Sequence, residues 1–274
     1  MSKINWNKVV LILILTLAGI TFVYPFAWMI GGTFKPEVEV MNFSPIGSRF
    51  TLDSYTGMLS KIPIFKALLN SLIVSVLSTI SVLILSSMTG YALARLRFKG
   101  RGLIFNVILF TMVLPFQLTL IPLYVLMVKF GWVDTYAALI LPYTMSAFAI
   151  LLFRQFFIAI PQDLIDAARL DGLGEFGILF RIFWPLSKPA LVTVGIVHFM
   201  GIWNEALWPL IVVRNVKMMT MPQMITLFAV GGQAENQIGQ QLAAATIMTV
   251  PIVLAYLFLQ RHFIESMATS GLKG

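Results

Sequence analysis

The segment IDAARLDG (165–172) sets two aspartates and an arginine around a pair of alanines. It lies between AFAILLFRQFFIAI (147–160) and ILFRIFWPL (178–186), both strongly apolar. Those flanks decide the fold. Of 274 residues, 59% are hydrophobic and 11% charged, against about 45–50% apolar and about 25% charged in an ordinary soluble domain. One soluble core has no room for this excess, and the chain reads as an all-α, polytopic membrane protein. The net charge of +8 then reflects basic loops at the membrane surface. The chain has no cysteine, which excludes disulfides, thiolate metal sites and cysteine catalysis.

A spanning helix needs about 20 mainly apolar residues. Six stretches qualify: 9–30, 68–92, 103–127, 136–159, 190–213 and 242–260. The first is too long for a signal peptide and lacks a small-residue cleavage site, so it reads as a retained span. Several stretches carry polar residues or prolines. These include Asn70, Ser71, Ser75, Ser78, Ser81, Ser86 and Ser87 in the second, Pro115, Gln117 and Pro122 in the third, and Pro251 in the sixth. The fifth carries His198, Asn204, Glu205 and Pro209. Such residues persist in lipid where neighbouring helices or a cavity satisfy them, which predicts a packed bundle with a polar interior.

Orientation follows from Lys and Arg. With the N-terminus inside, the inner segments hold twelve basic residues and the outer loops seven. The short loop ARLRFKGR (94–101) weighs most, with four basic residues and no acid. Both termini are therefore predicted cytoplasmic. IDAARLDG falls in the longest inner loop, 160–189, between spans 4 and 5, and two long outer loops cover 31–67 and 214–241. No repeat, low-complexity tract or linker divides the chain, so 1–274 reads as one domain.

In the inner loop, Pro161 suits a helix start, Asp163 and Asp166 lie near its positive end, and Gly172 suits a left-handed stop. A helix over 162–171 is expected, too short to be stable alone in water. Leu164, Ala167 and Ala168 are expected on one face, ready for a partner. A second helical stretch should run from Gly172 to Trp184, broken by Pro185 and Pro189. On spacing alone, a loop helix lying on the surface without a partner fits equally.

Asp166-Ala167-Ala168, Asp171-Gly172 and Ile182-x-Trp184-Pro185-Leu186 closely resemble the EAA motif of bacterial ABC importer permeases: E-A-A-x-x-x-G, about nine residues, then I-x-L-P. Asp166 replaces the usual Glu, a carboxylate arm one methylene shorter, and Trp184 replaces the usual Leu. Trp203-Asn204-Glu205 with Trp208-Pro209-Leu210, Gln260-Arg261 after Pro251, and the tail Ser270-Gly271-Leu272-Lys273-Gly274 look like the carbohydrate-uptake subfamily. The whole chain resembles the second permease subunit of maltose-type transporters, and the glycerol-3-phosphate importer permease looks comparably close.

The resemblance implies a permease that moves a sugar, polyol or glycerol-phosphate-like solute by ATP-driven alternating access in a bacterial or archaeal plasma membrane. It implies a homologous second permease, two ATPase subunits that carry ATP and Mg²⁺, and an extracytoplasmic solute-binding protein. Asp166, Ala167, Ala168, Asp171, Gly172, Ile182 and Pro185 would couple the chain to the ATPase. The outer loop Gly231, Gly232, Gln233, Glu235, Asn236 and Gln237 would enter the binding protein's cleft, where the plain reading is a flexible connector. The tail 261–274 would touch the ATPases or simply be a chain end.

His198 and Glu205, seven apart, are expected on one helix face with Gly201 clearing space between them. With Gln117 and Asn204 they are candidates for solute contact, and polar packing between helices is the competing reading. Trp203, Trp208 and Tyr143 could stack on sugars or anchor the membrane interface. The sequence holds no G-x-x-x-x-G-K-[ST] loop, so ATP hydrolysis falls to another chain, and two histidines make a zinc site improbable. The rival function is a stand-alone secondary transporter or channel using Glu205 and His198. The EAA-like loop and the lack of a repeat argue against it.

Overall fold

The computed structural model describes residues 6–230 and 237–271. Among the described residues the chain is helix and connector, without strands. In order, the helices are α1 (Trp6–Gly32), α2 (Asp53–Lys61), α3 (Ile64–Arg95), α4 (Arg101–Val113), α5 (Leu120–Lys129), α6 (Tyr136–Ile140) and α7 (Ala147–Ile158). There follow α8 (Gln162–Leu170), α9 (Glu175–Ile178), α10 (Trp184–Leu186), α11 (Lys188–Trp203), α12 (Leu207–Val212), α13 (Met221–Val230) and α14 (Ile238–Gly271). The predicted outer segments are not plain loops: 31–67 holds α2, and 214–241 holds α13, an apolar helix too short to register as a span.

Among the described residues, two helices are long and apolar enough to cross a membrane unaided: Asn7–Gly32 within α1, and α3. Counting each bent pair as one span gives up to five. The expected straight helices over 103–127, 136–159 and 190–213 are all broken. Between α4 and Phe116–Lys129 the chain turns by 102°, because Pro115 has no N–H and forces Leu114 into extended backbone, φ −76° and ψ 122°. Tyr136–Tyr143 meets α7 at 43°, where Ser146 Oγ accepts the Ala149 N–H at 3.4 Å and starts a new helix. α11 stops at Trp203, and Glu205 Oε1 then accepts the Trp208 N–H at 3.1 Å in the first turn of α12. Pro209 has no N–H to carry α11 onward. The sixth stretch, 242–260, lies inside α14.

By contact density the chain divides into two compact units, Met1–Ile64 with Met224–Pro251, and Phe65–Gln223 with Ile252–Gly274. In the first, the segment after α1 folds around Lys35, which is 1% exposed. Its ammonium donates to the Asn42 carbonyl at 3.0 Å and to that of Ser44. Glu39 accepts the Ser48 N–H at 2.7 Å and the Ser48 hydroxyl. This hydroxyl is the main cause holding the Glu39 carboxyl below its ordinary pKa. Glu37 accepts the Gly239 N–H at 3.2 Å at the start of α14, placing a negative charge at the positive end of that helix.

The second unit is organised on α3. Asn70, Ser71, Ser75, Ser78, Ser86 and Ser87 are buried, and Ser81 is half-buried. Asn70 Nδ2 donates to the carbonyls of Lys217 and Met219 at 2.9 Å each, and its Oδ1 accepts the Tyr136 hydroxyl at 2.7 Å. Ser71 Oγ accepts the Met221 N–H at 2.7 Å, and Ser87 Oγ the Trp184 indole N–H at 3.1 Å. The polar interior expected from the serine run is thus present: Ser71, Ser86 and Ser87 accept from segments that approach α3, while Ser75 and Ser78 Oγ are buried without a partner among the described residues. Gly90 lets α7 come close: a Cβ there would lie 2.8 Å from Phe153 Cβ and 3.1 Å from the Ile150 carbonyl oxygen. Small residues serve this purpose between membrane helices. A core of Phe153, Phe157, Phe183, Ile165, Ile178 and Val194, with their neighbours, ties α7, α8, α9 and α11 to α3.

Candidate functional site

Two places in the second unit gather the residues singled out by sequence. The first is a cavity of about 570 Å³. All three helix breaks open onto it: Phe116 and Gln117 after Pro115, Pro142 to Ser146 between α6 and α7, and Glu205 with Leu207 beyond α11. His198 and Gly201 line it from α11 and Val82 from α3. Broken helices expose backbone and side-chain polarity at membrane depth where a cavity is lined.

Gln117 therefore meets His198 and Glu205 around one space, though some eighty residues separate it from them. Glu205 reaches it from the turn after α11 and not from the shared helix face that the spacing suggested. Gly201 borders open space, but a Cβ there would meet nothing within 4 Å, so close approach does not demand glycine at this position. Asn204 does not line the cavity; its amide returns to the Met200 carbonyl at 2.8 Å. Tyr143 joins the lining, its ring 5.8 Å from that of Phe116. The Tyr143 hydroxyl and His198 Nε2 are buried with no hydrogen-bond partner among the described residues. Trp203 and Trp208 are neither ligand platforms nor interface anchors. Both are fully buried, Trp208 donating to the Ala138 carbonyl at 2.8 Å and Trp203 stacking on Phe199. The sequence stretches WNE (203–205) and WPL (208–210) could not separate these roles.

The second place is α8. It runs from Gln162 to Leu170, one residue short of the expected end. Gly172 adopts φ +82°. The Leu173 N–H bonds the Ala168 carbonyl and the Gly172 N–H that of Arg169, both at 3.0 Å, the paired closure of a glycine-stopped helix. A Cβ at Gly172 would meet nothing within 4 Å, so backbone handedness alone demands glycine.

The expected face of Leu164, Ala167 and Ala168 is split. Ile165 and Ala168 turn into the chain's own core, because positions three apart share that side and Phe157 and Phe183 cover it. Leu164 and Ala167 face outward with Asp166, Asp171 and Gly172, and Leu170 is 90% exposed. The second helical stretch passes Pro185, where a break was expected, and ends at Leu186. Lacking an N–H to give the Arg181 carbonyl, Pro185 is accommodated by a wide π turn at Leu179–Phe183. Ile182 packs on the core; Pro185 is exposed.

Sequence reasoning missed the polar clasp around α8. Arg95, counted only as a topological charge, donates to the carbonyls of Phe157 at 3.0 Å, of Ile158 at 3.2 Å and of Ile160, and to Gln162 Oε1 at 3.2 Å. It satisfies the last carbonyls of α7 and lies 5.7 Å above the Phe183 ring. Glu175 accepts the Tyr91 hydroxyl and two Arg169 N–H groups at 3.1 and 2.9 Å. That bond is the main cause holding the Arg169 guanidinium above its ordinary pKa. Gln162 Nε2 donates to Asp166 Oδ1 at 3.0 Å, and Arg169 approaches Asp166 at 3.7 Å. The one available signal was a cation ending a long apolar helix.

Gly231, Gly232, Gln233, Glu235 and Asn236 lie outside the described residues, as do 272–274 of the tail. Gln237 is described, and Lys61 Nζ donates to its side-chain oxygen.

A membrane-embedded helical body with broken helices around a cavity defines a permease-type membrane protein. The chain belongs to the family of binding-protein-dependent transport system inner membrane components, whose sequence profile matches residues 85–269. It is 35% identical to the arabinooligosaccharides transport system permease protein AraQ of Bacillus subtilis, over 97% of this chain and 96% of that one. It is 33% identical to the trehalose/maltose transport system permease protein MalG of Thermococcus litoralis, over 98% of each. It is 31% identical to the lactose transport system permease protein LacG of Rhizobium radiobacter, over 94% and 93%. The fold matches a chain of a bacterial ABC transporter involved in the import of the acidic polysaccharide alginate, with TM-score 0.81 and 21% identity over 96% of this chain and 99% of that one. The three relatives are permease proteins of sugar transport systems, and the structural match is a chain of an ABC transporter.

Proposed function

We propose that this chain is one of two permease subunits in an ABC importer for a sugar or related polyhydroxylated solute, working by ATP-driven alternating access. The observation that carries this reading is α8. It is a nine-residue helix, too short to persist in water by itself. The core grips it on one side, and it offers Leu164, Ala167, Leu170, Asp166 and Asp171 on the other. In this proposal that strip seats in a cleft of a separate ATPase subunit, which binds ATP and Mg²⁺. Closure of the ATPase pair moves α8 and, through it, the cavity walls.

Six spans follow if α14 is counted with α1, α3 and the bent pairs, in a single permease domain with both termini cytoplasmic. The 160–189 segment then faces the ATPases. The 231–237 loop faces the solute-binding protein, and the tail 261–274 faces the cytoplasm. The cavity residues Gln117, His198 and Glu205 lie on the solute path, in a bacterial or archaeal plasma membrane. Purification from native membranes tests the assembly. The expected complex holds this chain, a homologous permease and two ATPase copies, with ATP hydrolysis stimulated by a loaded binding protein. Solute transport by this chain alone without ATP would overturn the reading in favour of a secondary transporter.

A further inference from the structure

The cavity carries a charge signature that narrows the solute. Among its lining residues Glu205 is the single carboxylate, and neither Lys nor Arg is present. The remaining polar lining consists of neutral groups, among them Gln117, Tyr143, Ser146 and His198, histidine having an ordinary pKa of about 6.5. The Trp208 N–H holds one Glu205 oxygen and so orients the carboxylate. Tyr143 and His198 have unfilled hydrogen-bonding capacity, and the paired rings of Phe116 and Tyr143 add apolar surface.

A carboxylate or phosphate entering this space would lose hydration, face Glu205 and find no cation among these residues. At membrane depth both effects are large. A hydroxylated, uncharged solute meets the opposite balance. Its hydroxyls donate to the Glu205 carboxylate, exchange bonds with the Gln117 amide on the cavity wall, and bring no second charge into the space.

We propose that this cavity accepts uncharged hydroxyl-rich solutes and rejects uronates and phosphate esters, with Glu205 as the residue that sets the distinction. The inference rests on the reading that the cavity lies on the solute path. Of the classes suggested by sequence, it keeps sugars and polyols and drops glycerol phosphates.

The test is equilibrium binding to the assembled permease–ATPase complex in nanodiscs, without the binding protein, which makes its own selection. The probes are arabinotriose, maltotriose, trigalacturonate and glycerol 3-phosphate. The proteins are the wild type, Glu205→Gln, and the Phe116→Ala/Gln117→Leu double variant, which alters the accessible wall, each shown to assemble by size exclusion. At least one neutral trisaccharide should bind the wild type at least tenfold more tightly than either acidic probe. Glu205→Gln should shrink that preference at least fivefold, and the double variant should weaken the neutral probe. Equal or tighter binding of an acidic probe that the double variant weakens overturns the charge rule and leaves the cavity on the path. Binding indifferent to the double variant removes the cavity from the path, and the inference falls with it. Failure of both neutral probes to bind the wild type also overturns the proposal.

Discussion

The cavity and the α8 clasp are built from similar residues in the same compact unit, and they treat hydrogen bonding in opposite ways. Around α8 the polar groups close on one another: Tyr91 and Arg169 share Glu175, Gln162 holds Asp166, and Arg95 fills the carbonyls ending α7. Around the cavity a tyrosine hydroxyl and an imidazole nitrogen are buried without partners. A buried polar group left open costs stability, and both of these belong to residues that line the cavity. A closed network suits an element that must transmit a push without deforming. The difference separates a surface that receives solute from one that receives force.

The strongest break of this contrast is Gly172→Val. An L-residue in the left-handed region costs roughly 1–2 kcal/mol, and a β-branched one more. The stop of α8 should unwind, and solute uptake by the assembled importer should fall about tenfold or further. Gly172→Asn, which tolerates that backbone, should retain most activity. Full uptake in the valine variant would refute force transfer through α8.

A matched pair of tyrosine variants sharpens the contrast. Tyr91→Phe removes a hydroxyl that is bonded, with a cost of about 1 kcal/mol, and should lower the melting temperature by about 2–4 °C. Tyr143→Phe removes a hydroxyl that is buried and unbonded; it should leave melting unchanged or raise it, with uptake kinetics near those of the wild type. Thermal melting of the purified complex alongside uptake kinetics separates the two.

Smaller effects are expected at Glu175→Gln. Glu175 and Arg169 are 42% and 41% exposed, so their pair contributes little to global stability. The variant should reduce the ratio of binding-protein-stimulated to basal ATP hydrolysis roughly threefold with assembly intact, because α8 is less firmly held to α3.

The smallest effect is local and set by pH. Ser48 holds the Glu39 carboxyl below its ordinary value of 4.5. This interaction therefore contributes above the unfolded value and fades as pH falls through the lower folded one. Hydrogen exchange across residues 39–48 should be constant from pH 7 to about 5, after correction for intrinsic rates, and rise in protection-loss only below about 4.5.

What the sequence made legible was local. Helix α8, its proline start and its glycine stop follow from capping rules, and the serine face of α3 announced a polar interior. Pro115 and Pro209 were visible only as prolines inside expected spans, and composition cannot say that the chain breaks there or that three breaks converge, since that depends on how distant segments pack. The inward turn of Ala168 was hidden because the phase of a two-turn helix is set by Phe157 and Phe183, remote in sequence. Arg95 was visible only as a charge; its partners are backbone carbonyls, which leave no trace in residue identity.

The wide turn at Leu179–Phe183 acts as a gear change. One added residue rotates a helix by about 100°, so the face read before the turn does not continue after it. Deleting a single residue there would restore regular winding and swing Glu175 and α8 about the helix axis relative to Trp184, whose indole is tied to Ser87. The angular setting of the α8 surface is thus stored in one surplus residue, and insertions or deletions within this turn should retune it where point substitutions cannot.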